Sequence, residues 1–401
     1  MINRFPAAVR RTVGVVLASL LLAVGPARAE ESLTIGYLSV GFPQPPALSN
    51  LDVPPEDLGL AGAELGLADN ATTGRFLKQS FKLEIRRLDE GADPLAHLRD
   101  LAEAGVQVVV LDMPAVSLDR VIGAKDLDIP LLINAGAPDN RFREADCRAN
   151  LLHTLPSRAM LMDGLAQYLI KKQWSDWFLI TGPRPEDRLF AASVKRAAKR
   201  FGAKIVAEKA WTGEYDARRT AQTEIPIFTQ GVDYDVLMVA DEIGDFGDYL
   251  MYRTFEPKVV AGTQGLVPAA WGRAVEQWGA AQLQERFFAS KGRPMRPRDW
   301  AAWMAVRTLG EAATRTKSIK IDDLKAFIYS PKLRLAGFKG RKLQYRHWNG
   351  QLRQSIPLLT ARSVVSLSPQ EGFLHPTTEL DTLGFDEPET QCPTPLWSVS
   401  E

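Results

Sequence analysis

From residue 33 onward, short apolar runs alternate with longer stretches of helical periodicity. Residues 33–40 form a β-rich run, the loop Phe42-Pro43-Gln44-Pro45-Pro46 follows, and 56–77 is compatible with a helix. Between 81 and 88 the chain alternates, with Phe81, Leu83 and Ile85 on one face and Lys82, Glu84 and Arg86 on the other, which is the period of a strand. Next come a helix at 94–104, a wholly apolar strand at 106–111, a short helix after Pro114 and a strand at 129–133. Strands that are apolar throughout need cover on both faces, and a parallel sheet between helix layers provides it. The rhythm then repeats with helices at 157–172 and 185–201 and strands at 177–181, 204–210, 236–240 and 259–261. The expected fold class is α/β, with two doubly wound, Rossmann-like lobes rather than one large sheet. Helices dominate 271–328, with Trp300, Trp303 and Met304 at core positions. Residues 342–359 read as an antiparallel pair turned at Asn349-Gly350, a dipeptide suited to a type I′ turn. From about Ser366 the chain reads as a proline-punctuated tail.

The first 29 residues fall outside this rhythm. Arg4, Arg10 and Arg11 precede an apolar run at 13–24, Pro26 follows, and the segment closes on Ala27-Arg28-Ala29, the pattern of a signal peptide with an A-x-A cleavage site. The apolar run is short of the roughly 20 residues that span a bilayer. The expectation is cleavage near Ala29 and a mature chain without membrane insertion, free in a bacterial periplasm. Loss of Arg4, Arg10, Arg11 and Arg28 changes 49 basic against 48 acidic residues to 45 against 48. No basic face marks a nucleic-acid partner. The densest basic run, Lys195-Arg196 with Lys199-Arg200, reads as a solvated helix face. Cys147 and Cys392 are the only cysteines. In an oxidising compartment they read as one disulfide tying the tail back, worth up to about 5 kcal/mol for so long a loop.

Catalytic signatures are absent: no G-x-S-x-G elbow, no phosphate loop, no H-E-x-x-H pair and no G-x-G-x-x-G after the first strand. His97, His153, His347 and His375 lack metal-ligand spacing. No enzymatic activity, cofactor or metal is expected. Open α/β sheets bind ligands beyond the carboxyl ends of their strands, which nominates Asp112, Met113, Asn134, Ala135, Gly182, Arg184, Asp241, Glu242, Thr263 and Gln264 as ligand-binding residues. The acidic run 241–248 does not have the spacing of an EF-hand loop, and acids gather at helix N-termini in any case.

Several longer segments carry a resemblance. Cys147-Arg148-Ala149-Asn150 leads into 153–160 and a helix ending at Tyr168-Leu169. Further on stand 261–267, Gly340-Arg341-Lys342-Leu343, 348–354 and Asp381-Thr382-Leu383-Gly384. Together these resemble type I periplasmic substrate-binding proteins of the leucine/isoleucine/valine-binding class. More narrowly, they resemble the substrate-binding component of the ABC transporter encoded with PQQ-dependent alcohol dehydrogenase systems. The resemblance implies a monomer of two lobes, 30–152 with 262–334 and 153–261 with 335–366, followed by a tail at 367–401. It also implies a small ligand held between the lobes by hinge closure and an ABC permease as partner. A ligand sensor or accessory protein of the same fold, possibly metal-binding, is the alternative. Amino-acid-binding members carry a Ser/Thr-rich loop for the ligand carboxylate, whereas the corresponding segments here read Asp112-Met113-Pro114-Ala115 and Asn134-Ala135-Gly136-Ala137. A negative Asp112 repels a carboxylate, so a ligand other than leucine is expected, with Asp241 and Glu242 open to a cation or a hydroxylated solute.

Overall fold

The computed structural model describes residues 31–44, 53–124, 126–212, 224–393 and 395–397, so the expected leader and Pro45-Pro46 lie outside the described residues. Two parallel sheets organise the chain. The first contains β1 (Glu31–Val40), β2 (Gln79–Leu88), β3 (Val108–Asp112), β4 (Leu131–Asn134) and β5 (Leu151–His153), in the order β2-β1-β3-β4-β5. The second contains β6 (Asp176–Thr181), β7 (Lys204–Ala210), β8 (Val236–Ala240) and β9 (Val259–Gly262), in the order β7-β6-β8-β9. Both sheets reverse direction of strand order beside their first strand, and such switch points open crevices at the strand tips.

The apolar strands are covered as their composition requires. In β3, Val108 and Val110 enter one core while Val109 and Leu111 enter another on the opposite face. In β8, Val236 and Met238 face one core and Leu237 and Val239 the other. Around the first sheet lie α1 (Leu60–Leu77), α2 (Leu95–Glu103), α3 (Ala115–Gly123) and the short α4 (Arg141–Glu144). The second sheet is packed by α5 (Arg158–Lys171) and α6 (Pro185–Phe201). The later helices α7 (Ala280–Lys291), α8 (Pro297–Thr316) and α9 (Ile321–Ile328) return to the first core, where Trp300, Trp303 and Met304 are buried as expected. Helix α8 lies so close on α1 that a Cβ at Gly62 would sit 1.8 Å from the carbonyl oxygen of Asp299.

The remaining strands are short: β10 (Val267–Pro268), β11 (Leu335–Ala336), β12 (Lys342–Leu343), β13 (Ile356–Leu359) and β14 (Val364–Ser368). Strand β13 pairs antiparallel with both β10 and β14, so the segment after Ser366 begins within a strand rather than as tail. Among the described residues the chain passes between the two cores at three places beside the cleft, where Leu155 belongs to the first and Met160 to the second, Leu266 to the second and Ala270 to the first, Leu352 to the first and Ile356 to the second, and the C-terminal segment returns from Leu383 in the second core to Trp397 in the first. Residues 335–345, expected with the second lobe, contribute Leu335, Leu343 and Tyr345 to the first core.

Two local expectations are corrected. At Asn349-Gly350 only Gly350 takes a positive φ, 68°, whereas a type I′ turn needs it at both central residues. Instead Arg346 N donates to Gln351 O and Gly350 N to Arg346 O, and the buried Asn349 amide donates to Arg143 O. The basic run on α6 is not simply solvated either: Arg196 and Arg200 both reach the buried carboxylate of Asp163 and the carbonyl of Gly384. They pin the C-terminal segment, which is also held by Asp381 between Arg346 and Arg353 and by the disulfide Cys147–Cys392. No helix among the described residues is long and apolar enough to cross a membrane.

Candidate ligand-binding site

The tips of both sheets converge on one cleft of about 720 Å³. Residues after β1 (Phe42 to Gln44), β3 (Pro114 to Val116) and β4 (Gly136, Pro138, Asp139) line one side; those after β6 (Pro185, Glu186), β8 (Glu242, Ile243) and β9 (Thr263) line the other. The crossing segments contribute Leu155, Pro156 and 267–270 to the lining between them.

Of the ten nominated residues, Glu242 and Thr263 reach this lining. The others lie outside it, all but the half-exposed Arg184 buried, and most are engaged elsewhere. Asp112 is fully buried and grips Arg298, which donates from Nε and Nη2 to the two carboxylate oxygens at 2.9 Å each. Tyr37 Oη donates to the same carboxylate at 2.7 Å, and burial together with Asp112 holds the tyrosine pKa well above its ordinary value. Burial alone would lower the pKa of Arg298, but Asp112 outweighs it and the net direction is upward. Met113 and Ala135 are core residues. Asn134 folds its own loop: its Oδ1 accepts from Gly136 N and Ala137 N, and its Nδ2 donates to Ala137 O. Gly182 packs where a Cβ would strike Asp187, and Arg184 is paired with Asp245. Asp241 accepts four backbone N–H groups, from Gly244, Asp245, Phe246 and Gly247, and so shapes the acidic loop. Gln264 donates to Asp241 O.

Glu242 apart, the charges within the cleft were not anticipated from the sequence. Arg158, at the start of α5, donates from Nε and Nη2 to Glu242 at 2.6 and 2.7 Å and lies 2.9 Å from Asp139 on the other lobe. Burial lowers the Arg158 pKa, yet the two carboxylates outweigh that and raise it overall. Burial pushes Glu242 upward more than Arg158 pulls it down. Arg298 carries the ring of Phe42 at 3.7 Å from its guanidinium carbon. Asp187, at the N-terminus of α6, accepts from Arg184 N and Glu242 N, and burial pushes its pKa up to about 6. Ser157, which caps α5, was the available signal for Arg158, since a helix beginning there puts the following residue at a strand tip. Arg298 had none, because it lies 186 residues from Asp112 in the chain.

Two parallel α/β lobes, three crossings and a cleft between strand tips define the type I periplasmic-binding-protein fold. Solved structures share it. A periplasmic binding protein from Burkholderia mallei is 16% identical, with a TM-score of 0.64 over 92% of this chain and 100% of its own. The leucine-, isoleucine-, valine-, threonine- and alanine-binding protein from Brucella ovis, in a closed conformation, is 15% identical with a TM-score of 0.64 over 85% and 93% of the two chains. An ABC-transporter solute-binding protein from R. palustris in complex with benzoate is 13% identical with a TM-score of 0.61 over 85% and 98%. No protein-family model and no curated protein matches the chain.

Proposed function

We propose that the protein is the periplasmic solute-binding component of an ABC transport system, holding a small molecule between its lobes and presenting the closed form to a membrane permease. The observation that carries this reading is the shared cleft: strand tips of two separate sheets line one space, and three strands of chain cross beside it. A ligand touching both walls gains contacts only when the lobes approach, and that difference drives closure. A volume of about 720 Å³ suits a small organic molecule. The leader-like N-terminus supports export. Within this reading Glu242 and Thr263 meet the ligand, while Asp112, Met113, Asn134, Ala135, Gly182, Arg184, Asp241 and Gln264 shape the walls that do. The narrower assignment, to a system serving PQQ-dependent alcohol oxidation, is supported by the resemblance of segments 147–150, 153–160, 261–267, 340–343, 348–354 and 381–384 alone.

Native mass spectrometry of protein released from its own periplasm tests the reading, with a co-purifying small molecule expected. Small-angle scattering with that molecule should then show a more compact particle; an unchanged profile at saturation argues against hinge closure. Deletion of the gene should abolish uptake of the same molecule, and intact growth on alcohols in that strain would remove the narrower assignment.

A further inference from the structure

We infer that the cleft takes an uncharged, largely apolar small molecule bearing a hydrogen-bond acceptor such as a carbonyl oxygen, and excludes amino-acid zwitterions. This rests on the solute-binding reading above and adds the ligand class.

The cleft's polar groups are mostly spent on one another. Both oxygens of Glu242 accept from Arg158, whose guanidinium also meets Asp139. The single hydroxyl among the described lining residues, on Thr263, accepts from Asp241 N at 3.0 Å and donates toward Val239 O at 3.1 Å. Backbone donors are scarce as well. Of the helices that begin at the cleft, Pro185 and Pro297 occupy the first position of two and Pro114 immediately precedes a third, while the first amides of α5 are taken up by Pro138 O, Asn140 Oδ1 and Ser157 Oγ. Proline has no N–H, so the amides that usually hold an anion at such ends are reduced. Pro138, Pro156 and Pro268 remove further donors from the lining.

Each of the three proline-marked helix ends also has an aspartate of its own. Asp187 and Asp299 accept the cap N–H groups of Arg184 and Arg296, and Asp112 stands just before Pro114. Their charges oppose an anionic ligand at the positive ends of the helices. Of the arginines that line the cleft, Arg158 is matched by Glu242 and Asp139 and Arg141 by Asp119 and Asp146, while Arg298 commits its Nε and Nη2 to Asp112 and its Nη1 has no hydrogen bond among the described residues. With its charge matched by Asp112, that edge suits a neutral acceptor better than a carboxylate. Glu186 lies at the half-exposed rim, where an ion pair with a ligand cation gains little through water. Gln44 and Arg141 stand at the exposed and half-exposed edge of the lining, and the rest of the wall is apolar, with Ala115 and Val116 on one lobe and Leu161, Leu189 and Phe190 on the other.

Equilibrium dialysis of the purified protein against matched probes tests this. The uncharged arm is a panel of ketones and esters that includes acetophenone and 2-heptanone; the charged arm is benzoate, benzylammonium, L-phenylalanine and L-leucine. Saturable binding of an uncharged probe at least tenfold tighter than any charged one is expected. A charged probe binding as tightly or more tightly would overturn the ligand class and leave solute binding intact, whereas no saturation in either arm would overturn both. Val116 is 69% exposed, so Val116→Asp should fold normally and lose at least tenfold in affinity for the best uncharged probe. Unchanged affinity in a variant of unchanged melting temperature would place the ligand outside this cleft and overturn the inference.

Discussion

Asp112 shows how a strand-tip acid acts on a cleft it does not touch. Its carboxylate fixes the plane of Arg298 and is itself fixed by Tyr37, so the residue exposed to a ligand is the arginine. Asp112→Ala leaves the partly buried guanidinium of Arg298 and the buried Tyr37 hydroxyl without their partner, and losing one member of a buried pair costs up to about 3–5 kcal/mol. Urea unfolding should show that cost, and the double variant Asp112→Ala/Arg298→Ala should lose less than the sum of the singles because the pair is coupled. Asp187 makes a pH prediction. Its folded pKa, about 6, lies above that of an unfolded aspartate, so the folded state favours the protonated form. The stability linked to this group is therefore complete below about pH 4 and is lost as pH rises through about 6. The unfolding free energy of the protein minus that of Asp187→Asn should fall across this window; a flat difference would mean that the carboxyl is not perturbed.

Elements followed the hydrophobic pattern closely where local sequence settles the matter. Helix α6 starts at Pro185 with Glu186 and Asp187 in its first turn and stops at Gly202, whose φ of 82° few other residues accept. Helix α5 starts at Ser157, whose hydroxyl accepts from Met160 N. Ser157→Ala should lose about 1 kcal/mol, measured by thermal or urea unfolding. Elements whose form depends on distant partners were misread. Asn349-Gly350 has the composition of a tight hairpin, but the buried Asn349 side-chain amide donates a hydrogen bond to Arg143 O, in a conformation other than that turn. The Arg196 and Arg200 side chains have the look of a solvated face until Asp163 and the Gly384 carbonyl arrive from elsewhere in the chain.

For the molecule as a whole, the C-terminal segment acts as a clasp. It leaves β14, binds α5 and α6 through Asp163, Arg196 and Arg200, and closes a disulfide over a sequence separation of 245 residues. Cys392→Ser should lose about 2–5 kcal/mol. Hydrogen exchange should show earlier opening near 387–397 than near 379–385, where Arg346 and Arg353 still hold Asp381. Exchange also distinguishes closure from one-sided binding: a ligand that draws the lobes together should protect 114–116 and 242–243 together.

The sequence alone determined the α/β class, the two repeats of strand and helix and the pairing of Cys147 with Cys392, because periodicity, caps and a lone cysteine pair are local or arithmetical signals. It located the strand tips and hence the neighbourhood of the cleft. Which side chains face that space was decided only by tertiary structure. A carboxylate such as Asp112 or Asp241 at a strand tip turns toward the strongest donors within reach, and those donors, Arg298 in one case and a curled loop of amides in the other, exist as a set only once the chain has folded.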